Sequence, residues 1–423
     1  MAASTITLLF LLFAVVMFVW EKLPLAVTAM IVCIGLILTG VLSPKEAFLG
    51  FIDSNVILFV GMFVIGGALF ETGMANKIGG LVSKFAKTER QLTIVLMLVT
   101  GLMSGILSNT GTAAILIPVV VGIATKSGFA RSRLLMPLVF AAAMGGNLSL
   151  IGAPGNLIAQ GILEQVNLKF GFFEYAKVGL PILIVGILYF VLIGYRFLPN
   201  SENLSIENSI YSNKKETADV AVWKQWLSLV ILVGTLLAMV LEDVIGIKLY
   251  VSACVGALLL IVTGVMSEKQ AYASIDSQVI FLFGGTLALA TALNNTGAGK
   301  DIANFVIGLL GSNPSPFALL TTVFIISCVL TNFMSNTATV ALLAPICLSI
   351  ASSLGADPRA VLMATVIGSS CAYATPIGMP ANTMVLSIGG YKFMDYVKAG
   401  LPLIIVSTIV SLILLPIFFP FFP

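Results

Sequence analysis

Along the chain, apolar residues gather into long blocks separated by short polar turns. Ten blocks, near 5–20, 24–41, 54–71, 133–162, 175–197, 226–241, 248–266, 277–294, 358–388 and 399–419, are continuous enough to be helices. At 1.5 Å per residue each can cross roughly 30 Å of hydrocarbon, so the pattern predicts ten membrane spans. Two further apolar blocks, about 92–125 and 316–353, are interrupted by "GILSNTGTAAILIPV" (105–119) and "FMSNTATVALLAPI" (333–346). Each half of such a block is expected to be too short to span. The two blocks read as re-entrant hairpins, which survive at membrane depth only where protein or a watered cavity meets the exposed backbone. "GGNLSLIGAPGN" (145–156) and "SSCAYATPIGMPAN" (369–382) likewise interrupt apolar runs with Gly, Pro and Asn. The spans at 133–162 and 358–388 are therefore expected to be discontinuous helices.

The interruptions come twice in the same order. "TGVLSPKEAFLGFIDSNVILF" from Thr39 matches "TGVMSEKQAYASIDSQVIFLF" from Thr263, "IGAPGNLI" at 151–158 matches "IGMPANTM" at 377–384, and "KVGLPILIV" from Lys177 matches "KAGLPLIIV" from Lys398. Such matches read as a duplication, with residues 1–198 as the first repeat, 199–225 as a cytoplasmic linker and 226–423 as the second repeat. Each repeat holds five spans and one hairpin, and an odd number of crossings turns the second copy over. The predicted fold class is an all-α polytopic membrane protein, an inverted repeat with its pseudo-two-fold axis in the membrane plane and discontinuous helices at the midplane.

Composition agrees: 59% of the 423 residues are hydrophobic, only 9% are charged and there is no histidine, so a charged soluble surface is excluded. The net charge of +3 is scattered over short loops, which gives no nucleic-acid footprint. Its distribution orients the chain. One side collects Lys22, Lys77, Lys84, Lys87, Arg90, Lys126, Arg131, Arg133, Arg196, Lys214, Lys215, Lys224, Lys269, Lys392 and Lys398. The other keeps Lys45, Lys169, Lys177, Lys248, Lys300 and Arg359. The positive-inside rule makes the first side cytoplasmic and puts both termini outside a bacterial or archaeal plasma membrane. The first span lacks a basic leader and is expected to be retained. The five cysteines lack metal spacing and read as small buried residues. With no histidine and no intramembrane carboxylate pair, the chain lacks the nucleophile, base or metal cluster of an enzyme.

The hairpin tips carry the candidate chemistry. Each tip ends one short helix and begins another, so carbonyls with partial negative charge stand beside N–H groups with partial positive charge, and a cation and an anion can be held together without a charged side chain. Ser104 precedes Ser108 by four residues and Thr331 precedes Ser335 by four, so in each hairpin a hydroxyl is expected to stack over the tip serine on one helical face. Asn109 and Asn336 add amide oxygens, and such hard neutral ligands suit Na⁺. Asp53 and Asp276, at equivalent starts of the third and eighth spans, are expected to cap helices, and Glu71 to be of local importance.

These paired Ser-Asn-Thr hairpins, the Pro-containing break after each, and the run "SSCAYATPIGMPANTMV" from Ser369 to Val385 resemble the divalent anion:sodium symporter family, carriers of dicarboxylates, citrate or sulfate in the ion transporter superfamily. The likeness covers nearly the whole chain. It implies one sodium site from Ser104, Ser108, Asn109 and the carbonyl at Gly152, and a second from Thr331, the Met334 carbonyl, Asn336 and Gly378. An anionic substrate is then expected against Ser108, Asn109, Thr110, Ser335, Asn336 and Thr337, with Pro154 and Pro380 in the wall. It further implies a homodimer that works like an elevator, with Na⁺ as coupling ion and no organic cofactor. Two departures stand out: Ala153-Pro154 and Met379-Pro380 replace the Thr-Pro of dicarboxylate carriers, and the family's usual extra amino-terminal span is absent. Sulfate carriage, anion exchange, arsenite or Na⁺/H⁺ antiport, and a channel are the alternatives. The proton-coupled ones want a titratable group at membrane depth, and neither hairpin nor break offers one.

Overall fold

The structure, a computed structural model, describes residues 2–20, 22–80, 88–199, 220–310 and 315–422, and the regular elements among them are helices. The first half runs α1 (Ala3–Trp20), α2 (Leu25–Leu38), α3 (Pro44–Phe48), α4 (Ser54–Glu71), α5 (Met74–Gly80), α6 (Glu89–Ser104), α7 (Asn109–Ser127), α8 (Arg131–Gly145), α9 (Pro154–Glu164) and α10 (Ala176–Leu192). The second half repeats that order with α11 (Val222–Val240), a single turn α12 (Glu242–Ile245), α13 (Leu249–Val262), α14 (Glu268–Ser274), α15 (Ser277–Thr296), α16 (Ala298–Leu310), α17 (Pro316–Thr331), α18 (Asn336–Leu354), α19 (Pro358–Ser369), α20 (Pro380–Ile388) and α21 (Phe393–Phe418). The hairpins are α6–α7 and α17–α18; the broken helices are α8–α9 and α19–α20.

Three expectations need correction. The second halves of the hairpins are not short: α7 and α18 each have 19 residues, and α18 is long and apolar enough to span by itself. What makes a hairpin is the return of the chain at the tip, not a deficit of length. Residues 200–219 of the linker lie outside the described residues, but α11 already begins at Val222, so the second half starts ahead of 226. The short helices α3 and α14 were not expected at all. Both open on a capping box, Ser43 with Glu46 and Ser267 with Gln270, and that Ser-x-x-Glu/Gln spacing is the signal that could have found them.

Packing divides the helices into two groups. In one, α2 lies along α15 and α4 along α13, with α1 and α11 outside them. In the other, α6 packs on α8 and α17 on α19, with α9 against α18 and α10 against α21. The second group holds the core: from Leu134 to Gly145 every residue of α8 is buried, and α19 is buried from Ala360 onward. A helix that is apolar all round belongs inside, and these two do. The outer face goes to lipid. Ile405, Ile409, Ile413 and Ile417, one per turn along α21, stay 54–65% exposed in a stripe that hydrocarbon can cover.

Candidate substrate and cation site

Each tip is built by a serine that starts a helix. Ser108 Oγ accepts from the Gly111 N–H at 3.1 Å and Ser335 Oγ from the Ala338 N–H at 3.2 Å, so both serines are N-caps as well as cavity residues. Ser104 does not stack on Ser108, because α6 ends at Ser104 and the next three residues turn. Instead Ser104 Oγ lies 2.7 Å from both Asn109 Oδ1 and the Ala142 carbonyl oxygen. The second tip does the same: Thr331 Oγ1 lies 2.8 Å from the Asn336 amide and donates to the Ser369 carbonyl.

The breaks repeat this symmetry in atomic detail. Asn156 Nδ2 donates to the carbonyls of Gly146 (2.9 Å) and Ser149 (2.8 Å); Asn382 Nδ2 donates to those of Ala372 (2.7 Å) and Thr375 (3.1 Å). Tyr175 and Tyr396 donate to the main-chain carbonyls of those two asparagines. Ser149 and Thr375 tie the breaks to the tips by donating to the carbonyls of Gly105 and Asn332. Each unwound stretch thus has two of its backbone oxygens paired by an asparagine from inside the protein, and such pairing helps make a break tolerable at membrane depth.

The two tips meet at one cavity of about 400 Å³. Its wall contains Ser108, Asn109, Thr110, Ser335, Asn336, Thr337, Pro154 and Pro380, so the eight residues expected against substrate are brought together. Six helices begin at its wall: α7 behind Ser108, α18 behind Ser335, α9 at Pro154, α20 at Pro380, α15 behind Asp276 and α2 at Leu25. Neither Ala153 nor Met379 caps its helix with a side chain, so the departures from Thr-Pro leave the starts of α9 and α20 without a side-chain acceptor. At roughly half a unit charge per helix start, six starts present about three positive charges to the cavity, of which the Asp276 carboxylate in the same wall offsets about one. Among the described residues no lysine or arginine lines it.

Four other helices end beside the tips: α6 at Ser104, α8 at Gly145, α17 at Thr331 and α19 at Ser369. Around Asn336 one amide atom faces Thr331 Oγ1 at 2.8 Å, the Ser369 carbonyl at 3.1 Å and the Gly378 carbonyl at 3.2 Å. Carbonyl oxygens only accept, so in a cation-free site the amide nitrogen occupies that position, and turning the amide over makes four oxygens converge. At the first tip the Asn109 amide lies so close over Gly146 that a Cβ there would stand 2.6 Å from Oδ1, and Gly152 approaches the Gly146 carbonyl as tightly. Ser104 and Asn109 thus stand together at the first tip, and Thr331, Asn336 and Gly378 at the second. Ser108 and Gly152 are adjacent to the first set. Met334 is buried in the turn before Ser335, and no contact draws it into the Asn336 cluster. The sequence reading missed the Ala142 and Ser369 carbonyls, because a main-chain oxygen at a helix end leaves no mark in side-chain spelling.

The cavity continues past Phe63 and Asp276 into a second space of about 260 Å³ that reaches the exposed Glu71. Elsewhere, beside the start of α4 and the end of α9, the two helix groups are joined by polar contacts. Asn55 Nδ2 donates to Glu164 Oε2 (2.8 Å) and to Asp53 Oδ1 (2.9 Å), and Lys169 pairs with Glu242 at 3.8 Å.

A sequence profile described as citrate transporter matches residues 15–361 and 312–422, which together take in almost the whole chain. The chain belongs to the citrate transporter family. Its relatives are consistent with the divalent anion:sodium symporter resemblance. An uncharacterized transporter of Haemophilus influenzae is 29% identical over 415 residues, covering 95% of this chain and 88% of its own length. The sodium-dependent dicarboxylate transporter SdcS of Staphylococcus aureus is 23% identical, covering 93% and 82%. Two solved transporters share the fold: YdaH of Alcanivorax borkumensis, with a TM-score of 0.65 at 15% identity over 88% of this chain and 86% of that one, and MtrF of Neisseria gonorrhoeae, with 0.64 at 17% over 92% and 86%. As a member of the citrate transporter family, with six helices among the described residues apolar and long enough to cross a bilayer, the protein is a multi-pass integral membrane transporter, not an enzyme.

Proposed function

We propose that the protein is a secondary transporter that moves a divalent organic anion, a di- or tricarboxylate carrying two charges, coupled to Na⁺. The observation that carries this reading is the convergence of six helix starts on one cavity, with helix ends beside the two tips that bring Ser104 Oγ to Asn109 and Thr331 Oγ1 with two carbonyl oxygens to Asn336. The starts oppose the charge of a dianion, and the ends, with Ser104, Thr331 and the two amides, offer sodium its hard oxygen ligands. Sodium supplies positive charge beside the anion when bound. Ser104 and Thr331 hold the asparagine amides in place, and the Ser108 and Ser335 hydroxyls present the tips to substrate. The sodium dependence printed in the name of the Staphylococcus relative supports the coupling ion.

Movement follows from the two helix groups. In an elevator the group bearing both tips slides against the one containing α2, α4, α13 and α15, carrying the cavity across the membrane. The exit past Asp276 lies on the side that the basic loops assign to the cytoplasm, so this arrangement is inward-facing. Operation as a homodimer remains part of the same reading. The test is uptake of labelled succinate, citrate and sulfate into proteoliposomes with and without a sodium gradient. Succinate accumulation driven by inward sodium is expected. Uptake that ignores sodium and demands an anion inside would make the protein an exchanger, and uptake of sulfate alone would make it an inorganic oxyanion carrier.

A further inference from the structure

One charged side chain does line the cavity, and its sign is the wrong one for holding an anion. Asp276 stands in the wall that contains both tips and also in the wall of the adjoining space that leads out past Glu71. The two spaces share Phe63, Ser108, Pro154 and Asp276, so a solute leaving the tips in this arrangement passes the Asp276 carboxylate. That carboxylate is fixed in place. Its Oδ1 accepts from the Gln278 N–H at 3.0 Å and from the Val279 N–H at 3.4 Å, as the N-cap of α15. Asparagine and serine cap equally well, so the cap does not require a full charge, and the start of α15 offsets only about half of it.

We propose that Asp276 is a specificity-determining residue that sets the charge of the transported anion, admitting dianions and rejecting trianions. The inference rests on the anion-transport reading above. The six helix starts supply about three positive charges and Asp276 takes back one, which leaves a balance that a dianion matches. A third negative charge finds no lysine or arginine among the described residues of either wall and meets Asp276 instead. Glu71, whose Oε2 accepts from Gln270 Nε2 at 2.8 Å, extends the negative character of the exit. Across a small cavity, at roughly 10 Å and an intermediate dielectric, one such charge changes the affinity for each added anionic charge by about three- to tenfold, and less in high salt.

The replacement that isolates the charge is Asp276→Asn, which keeps the capping oxygen; Asp276→Ser is a second variant with the same property. Purified protein is titrated in sodium at low ionic strength with succinate and with tricarballylate, a tricarboxylate, at a pH where every carboxyl is ionised. The readout is the rise in thermal unfolding midpoint. The parent should be stabilised by succinate and hardly by tricarballylate. In both variants the tricarballylate concentration needed should fall about three- to tenfold relative to that of succinate, and added salt should shrink the difference. Equal stabilisation of the parent by both anions, or an unchanged ratio in the variants, overturns the proposal while leaving the dianion site intact. If neither succinate nor sulfate stabilises the parent in sodium, the anion-site reading fails and the charge filter falls with it.

Discussion

At the scale of single residues, the structure separates what a tip residue does for folding from what it does for binding. Ser108 and Ser335 each cap a helix, so Ser335→Ala should lower stability by about 0.5–2 kcal/mol as well as weaken substrate binding. Unfolding midpoints and substrate titrations on the same preparation check both effects. Thr331→Val separates them better, because it removes an oxygen from the Asn336 cluster and retains the side-chain shape. Losing one hydrogen-bonding partner of a charged group costs about 1.5–3 kcal/mol. The sodium concentration for half-maximal uptake should therefore rise roughly ten- to a hundredfold, with surface expression unchanged. A variant with the parent's sodium dependence would remove Thr331 from the cation site.

At the scale of elements, the repeat was legible wherever the chain must depart from an apolar helix. Gly, Pro, Asn and Ser mark the tips and breaks because only they supply tight approaches, missing N–H groups or compact hydrogen bonds. Gly179 and Gly400 show how strict this is: a Cβ at either would fall inside contact distance of a backbone carbonyl, of Asn147 and Tyr373 respectively. Gly179→Ala and Gly400→Ala should each destabilise the fold by about 1–3 kcal/mol or more, seen as loss of monodisperse protein on size-exclusion chromatography. Less was legible where identity of the side chain does not matter. The carbonyls of Ala142 and Ser369 follow from helix geometry alone, whereas α3 and α14, too short for apolar periodicity, are legible only in the side chains of their capping boxes.

The junction of α4 with α9 adds a pH dependence at this same scale. Glu164 lies just past the predicted span. Burial first, and then the Asp53 carboxylate, raise its carboxyl above the ordinary value of 4.5, against the hydrogen bonds from Asn55 and Gln160 and the charge of Lys169. The other charges facing this junction are Glu242 and Lys248, which pair with one another. A carboxyl whose proton is held more tightly in one arrangement favours that arrangement as pH falls, and the contribution is lost as pH rises through the raised value. Spin labels at Ile52→Cys and Phe173→Cys, both exposed positions, in a background lacking the native thiols, should therefore report more of the present separation at pH 5 than at pH 7.5. Glu164→Gln should flatten that response. An equal pH response in Glu164→Gln would assign it to another group.

At the scale of the whole molecule, five crossings per repeat require the hairpins to enter from opposite sides. Cysteine placed in the 126–133 loop should be labelled only from the cytoplasm, and cysteine at 354–357 only from outside; labelling of both from one side would contradict the inverted orientation. The tips then meet at one cavity because the halves face each other across the pseudo-two-fold axis, and in the proposed function cation and anion share the same helix ends and starts. Sharing has a thermodynamic consequence: bound sodium offsets the repulsion between a dianion and the oxygens around Asn109 and Asn336, so each ligand should tighten the other by the same factor. The most direct measurement is equilibrium binding of labelled succinate to the purified protein, titrated in sodium and again in choline, together with the sodium titration repeated at saturating succinate. The account predicts that sodium strengthens succinate binding and that succinate strengthens sodium binding by an equal factor. Succinate binding of the same strength in choline as in sodium would contradict it.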